Sequence, residues 1–185
     1  LGKRKVPAPD PNTPATLRLV QRLSPGAHPF RVAIDPPAWA QELDCIDIVR
    51  RLVAESGGEC VLGWALWEWP GVIVEGEFHA VWKKPDGAYL DVTPRSDGDT
   101  FVLFLPDPKA VVDTWQKDNI RLPLAHRREI LDFIDIKERI HRAKNKGSEA
   151  HSPFYTHTPH LDFLLAEEAK ILRRLVVRFG PPPKQ

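Results

Sequence analysis

A thiol, an imidazole and a carboxylate follow one another in the middle of this chain. They are Cys45, then His79 within Phe78-His-Ala-Val-Trp82, then Asp91 opening Asp91-Val-Thr-Pro94. Brought into contact, these groups make a relay: a sulfur nucleophile, a base that takes its proton, and a carboxylate that orients the base. Such a relay attacks acyl or amide carbonyls and passes through a thioester. The three residues are 34 and 12 positions apart, so the elements between them decide whether they meet. Each also has a purely structural reading. Cys45 shares a helical face with Val49 and Leu52 and could be a small core residue. His79 could be a structural histidine, and Asp91 could cap the turn toward Thr93-Pro94.

The elements that must position them are legible in part. Trp39, Leu43, Ile46, Val49 and Val53 recur at intervals of three and four, which predicts a helix over 38–55 ended by Gly57-Gly58. If that helix runs from Trp39, Cys45 lies within it. If Asp44 caps it, Cys45 falls in the first turn, where the helix dipole favours a thiolate. Asp44 and Asp47 flank the cysteine and oppose that ionisation. Strands are expected over 29–34, 60–69, 72–83, 88–93 and 100–105, with a short helix over 15–23 before them. Helices are expected over 109–118, 124–146 and 160–179, the last two joined by a polar loop over 147–159.

The hairpin carrying His79 can be taken further. Lys84-Pro-Asp-Gly87 is turn chemistry, with Pro85 preset for the first corner and Gly87 free to take positive φ. A three-residue loop Pro85-Asp86-Gly87 pairs Lys84 with Ala88, Trp82 with Leu90 and Val81 with Asp91. That register groups Ala80, Trp82, Leu90 and Val92 on a buried face. It leaves His79 and Asp91 as diagonal neighbours, roughly 5–8 Å apart, on the other, more polar face, expected to be open. A two-residue loop would bury Asp91 beside Phe78 and Trp82, which is unfavourable for an unpaired carboxylate.

A helical cysteine, then Gly58-x-x-x-x-Gly63 and a strand, then His79-Ala-Val-Trp82, a turn and Asp91-Val-Thr-Pro94 resembles the transglutaminase-like branch of the papain-like cysteine enzymes. The resemblance covers about residues 39–95. It implies Cys45 as nucleophile, His79 as base and Asp91 as orienter. It also implies a peptidase, amidase, deamidase or transglutaminase-type acyltransferase acting on a peptide or protein, without cofactor or metal. The Cys45 backbone N–H and a side chain such as Gln41 or Trp39 would supply oxyanion donors, and Trp64 and Trp67 would line a substrate groove. Cys60, which opens a strand, is read as a packing residue.

The whole chain suits this scale of machine. It has 185 residues, is 42% hydrophobic with six Trp and eight Phe, and carries a net charge of +1. The expected fold class is α+β: a Pro-rich basic arm (1–14), a helix packed on a small antiparallel sheet (15–108), and a helical C-terminal extension (109–185). The near-neutral charge argues against nucleic acid as a partner, although Lys3-Arg-Lys5 and a basic helix end at Arg139, Arg142, Lys144 and Lys146 are candidate contacts. His141, His151, His157 and His160 lack a compact metal spacing. No run approaches the ~20 apolar residues of a membrane span. No signal pattern opens the chain, and two cysteines make a poor disulfide framework, so a cytoplasmic protein is expected. The absence of Met leaves the native N-terminus open. A second reading is a catalytically silent scaffold of the same type that binds a protein partner through its C-terminal helices.

Overall fold

The computed structural model of the protein describes residues 8–41, 44–95, 99–112, 117–145 and 158–182. Its elements in order are α1 (Pro14–Leu23), β1 (Phe30–Ile34), α2 (Cys45–Ser56), β2 (Glu59–Trp69), β3 (Ile73–Lys83), β4 (Tyr89–Asp91), β5 (Phe101–Pro106), β6 (Ile120–Pro123), α3 (Arg128–Lys144) and α4 (Pro159–Phe179). The fold is α+β, as expected.

The sheet is mixed rather than purely antiparallel. Strands run β2-β5-β1-β4-β3-β6, and β3 also pairs with β2, so the first five close into a small barrel. The parallel contact is β1 with β4, through Ala33↔Leu90 and Ile34↔Asp91. Parallel neighbours need a long crossover. Here the chain leaves β1 at Asp35-Pro36-Pro37, builds α2 and the β2–β3 hairpin, and only then returns beside β1 as β4. A reading of consecutive hairpins has no means of seeing that return.

Two layers of apolar residues hold the barrel. Val61, Ala65 and Trp67 of β2 alternate with Leu62, Trp64 and Leu66, so that the first set points inward and the second outward. The inner set meets Phe30, Val32, Val81, Tyr89, Val102 and Phe104, drawn from all the other barrel strands. Outside, Ala15, Leu19, Val20 and Leu23 of α1 cover Trp64, Leu66, Val74, Leu103 and Leu105. On another flank, Ile48 and Val49 of α2 cover Ala80 and Val92, with Leu62, Trp82 and Leu90 at the margin. The helix α1 starts where Thr13 Oγ1 accepts from the Thr16 N–H at 3.2 Å, with Pro14 preset in the first turn.

The C-terminal segment does more than add helices. Residues 120–123 form β6, which pairs with Ile73–Gly76 of β3. The Leu124 N–H continues the ladder by donating to Val72 O at 2.9 Å, which delays α3 to Arg128. α3 and α4 then pack Ile130, Phe133 and Leu175 onto Trp69, Val72 and Ile73. The short helix expected over 109–118 falls partly outside the described residues, and those described there are not helical. Residues 1–7 of the expected arm, with its basic cluster, and most of the 147–159 loop also lie outside them, whereas Pro14 opens α1.

Candidate functional site

The β2–β3 hairpin is paired along its whole length, from Glu59↔Lys83 to Trp69↔Ile73. The other edge of β3 is different. β4 pairs with it only at Trp82 and Lys83, and β6 only at residues 73–76. Between those contacts, residues 77–81 are paired with β2 alone among the described residues. β4 has meanwhile turned to pair with β1. The barrel therefore has a seam, and His79 stands in it.

The β3–β4 turn forms in the register that brings His79 and Asp91 together. Trp82 faces Leu90, the Lys84 N–H donates to Ala88 O at 2.8 Å, and Gly87 takes φ +87°. The polar face is not open, however. His79 is 4% exposed and Asp91 fully buried, because that face is the barrel interior. Each inward carboxylate carries its own partner. Glu75 lies 2.9 Å from Arg121 Nε and accepts from Asn119 Nδ2 at 2.7 Å. Glu77 accepts from the Trp67 indole at 3.0 Å.

Asp91 is the most fully engaged of these carboxylates. Its Oδ1 stands 3.1 Å from His79 Nε2 and accepts the Thr93 N–H at 3.0 Å. Its Oδ2 accepts from Arg95 Nη2 at 3.0 Å. The His79 contact is close but bent away from the N–H axis, so its strength is mainly coulombic. Burial by itself would raise the Asp91 carboxyl. The His79 charge and contact, then Arg95 and the Thr93 N–H, outweigh it and hold the group well below the usual carboxylate range. For His79, burial disfavours the charged ring. The Asp91 carboxylate and then the Cys45 sulfur overcome that, and the ring is raised from 6.5 to about 10.

Cys45 reaches the same ring from outside the barrel. Its sulfur is close enough to the imidazole to help raise it, after the Asp91 carboxylate. α2 begins at Cys45 with Asp44 as its N-cap residue, not at Trp39 or Ala38. The thiol is thus in the first turn, at the positive end of a helix of 12 residues. Asp44 makes no side-chain cap bond, so its carboxylate leaves the first amides of α2 uncapped. Asp47 has an 84% exposed side chain, 3.8 Å from Arg50. Water and that arginine screen the Asp47 charge.

The remaining candidates separate cleanly. Trp67 shares the inner face with His79 and stacks under the Arg95 guanidinium, 4.4 Å from ring centre to Cζ. Trp64 points the opposite way, packs edge-to-face on Phe78 and lies against α1. Alternation along β2 puts it on the face away from His79, so the two do not line one groove. Trp39 is 38% exposed and stacks on Arg51 of α2 at 3.9 Å. Gln41 is exposed just ahead of α2. Cys60 packs with Cys45 around Ile48, Val49 and Ala80, and burial raises its thiol.

Arg95 is the residue that sequence reasoning overlooked. Its signal was present, since it follows Asp91 by four positions beyond a Thr-Pro pair, but nothing in the sequence says that the chain folds back there. Among the described residues, no group of three or more His, Cys, Asp and Glu side chains is placed to hold a metal. No described helix is long and apolar enough to cross a membrane. Neither a family model, nor a curated protein, nor a solved structure matches the chain.

Proposed function

We propose that the protein is a cysteine-dependent enzyme of acyl transfer or amide hydrolysis, built on a transglutaminase-like variant of the papain-like core. The observation that carries this reading is the position of His79. It is buried, 3.1 Å from Asp91, and electrostatically coupled to a cysteine that opens a helix. A buried imidazole touching only a carboxylate would be an ordinary ion pair; the helix-terminal thiol on the same ring is what makes a relay.

With Nε2 facing Asp91, the other ring nitrogen is left for the thiol. In its neutral form His79 takes the Cys45 proton, and the α2 N-terminus favours the resulting thiolate. Sulfur attacks the carbonyl carbon of an amide or ester, and the C–O double bond becomes an oxyanion. The uncapped Cys45 N–H is a natural donor for it, with the Gln41 amide as second donor. As the tetrahedral adduct collapses, the imidazolium gives its proton to the departing nitrogen or oxygen. Water or an amine then loses a proton to His79, attacks the thioester, and frees Cys45. Asp91 keeps the ring oriented throughout.

Iodoacetamide labelling, read by mass spectrometry of each cysteine peptide, tests this. Cys45 should be labelled at least tenfold faster than Cys60 near neutral pH, and His79→Gln should abolish the difference. Equal slow labelling of both in the folded protein would count decisively against a relay.

A second reading, a silent scaffold that binds a protein partner, draws on α4. Phe163 is 57% exposed and Val177 90% exposed on that helix. Under this reading Cys45→Ala leaves biological activity intact, whereas Phe163→Glu and Val177→Glu remove it.

A further inference from the structure

Asp91 serves two cations with two different oxygens. Oδ1 faces His79 at 3.1 Å, whereas Oδ2 takes Arg95 Nη2 at 3.0 Å and Nε at 3.4 Å. The Arg95 side chain is only 10% exposed. Its guanidinium is sandwiched between that carboxylate and the Trp67 ring, and the ring is pinned by Glu77 through the indole N–H. Such a guanidinium, planar, stacked and doubly bonded, has little freedom to leave.

We propose that Arg95 is a positioning residue of the relay: by occupying Oδ2 it locks the Asp91 carboxylate and divides its charge, so that His79 can still give up its proton. The inference rests on the relay reading above. A buried carboxylate facing a histidine alone would hold the imidazolium with its whole charge. The ring would then be a poor base toward the water or amine that must resolve a thioester. With Arg95 opposite, Asp91 and Arg95 are together neutral, and His79 feels a smaller net attraction.

Few other groups compete for this role. Asp91 and Tyr89 share the ring's face from β4, Cys45 approaches from α2 with Asp44 and Asp47 near it, and Glu75, Glu77 and Lys83 share the face on β3 itself. β2 contributes the uncharged Val61, Gly63, Ala65 and Trp67 and, at its start, Glu59, whose carboxylate lies 2.9 Å from Lys83 Nζ. Glu75 is engaged by Arg121, and Glu77 by Trp67. Arg95 is the one cation bonded to the orienting carboxylate besides His79 among the described residues.

The test is an NMR titration of the His79 ring in the whole chain. Arg95→Gln keeps a donor for Oδ2 but removes the charge, and Arg95→Met keeps the methylene stem against Trp67. In whichever neutral variant folds, the His79 midpoint should rise by roughly one pH unit, a tenfold change in proton affinity. Arg95→Lys should return it toward the wild-type value. Where turnover is measurable, the pH profile should move alkaline by the same amount. A midpoint unchanged or lowered in the neutral variants overturns the proposal, since an arginine that merely props up the loop would let Asp91 swing away and release the ring. The titration needs no turnover, so it separates from the cysteine chemistry. Loss of preferential Cys45 labelling with a normal Arg95 effect would sink only the relay.

Discussion

His79 and Asp91 meet across a seam in the barrel and not along a shared ladder. Asp91 is in register with Ile34 of β1, and His79 with Gly63 of β2, yet their side chains come within 3.1 Å. The contact depends on β4 leaving β3 after two residue pairs. Continued pairing would have extended the ladder past Val81 and sealed the interior from α2. The divergence instead gives Cys45, on an outer helix, access to a ring that belongs to the inner face.

This pair should dominate the pH dependence of stability. His79 is raised from 6.5 to about 10, so its contribution is complete below pH 6.5 and is lost as pH rises through about 10. Asp91 is lowered from 3.8, so its contribution is complete above that value and is lost as pH falls below it. Both terms are at full strength only from about pH 4 to 6.5. The unfolding free energy of the wild type relative to His79→Gln should therefore shrink steadily between pH 6.5 and 10, as measured by urea titration. A difference that stays flat across that range would show that the ring is neutral in the folded protein.

Asp91→Asn probes the same pair from the carboxylate. It leaves Arg95 buried without a counter-ion and lets His79 lose its charge. The cost should be roughly 3–5 kcal/mol near pH 6. The NMR midpoint of His79 should fall well below the wild-type value. If urea unfolding shows a loss under about 1 kcal/mol, water must reach Arg95 and the site is more open than its burial implies.

Gly63, directly across from His79, should not tolerate a side chain. A Cβ there would meet the Leu105 carbonyl and come within 2.6 Å of Phe104 Cζ. Backbone on one side and a fully buried ring on the other leave nothing that can move cheaply. Gly63→Ala should cost at least about 2 kcal/mol and loosen the β2–β5 pairing. Hydrogen exchange of the Phe104 and Leu105 amides would report it. Gly87→Ala, where the space is open but φ is +87°, should cost only about 1–2 kcal/mol.

How far the sequence reaches can be seen from particular residues. The β3–β4 register was readable because one local turn and one alternating pattern determine it, and Trp82 does face Leu90. The helix stripe was readable too, but not its start. Trp39 fits the apolar period yet stacks on Arg51 outside the helix, so period alone misplaced the boundary. Glu75, Glu77 and His79 suggested an open face, since unpaired charge is expelled from interiors. Arg121 and Asn119, which engage Glu75, and Arg95, which engages the Asp91 that faces His79, come from segments whose return to the barrel no local pattern announces. Alternation puts Trp64 and Trp67 on opposite faces, and only the barrel decides that the Trp67 face is the interior shared with His79. The antiparallel expectation failed at β1–β4 for the same reason: the deciding contact is non-local.

The packing of α2 should matter to chemistry in a way that other packing does not. Val49 is fully buried and lies with Ile48 against Ala80 and Val92, the outward neighbours of His79 and Asp91 on their strands. It is therefore the residue that fixes the distance from α2 to the seam. Val49→Ala should cost roughly 1–3 kcal/mol, because a cavity opens where the helix meets the sheet. Leu19 of α1 is equally buried but packs on the opposite flank, with Trp64 and Leu105. Leu19→Ala should cost more, roughly 2–5 kcal/mol, since a larger side chain is lost. The order should reverse when Cys45 labelling is measured under conditions where both variants are folded. Val49→Ala should slow it several-fold by letting the thiol drift from His79, whereas Leu19→Ala should leave it near the wild-type rate. If labelling instead tracks stability across both variants, global unfolding governs access to Cys45, and the helix-to-seam geometry does not tune the thiol.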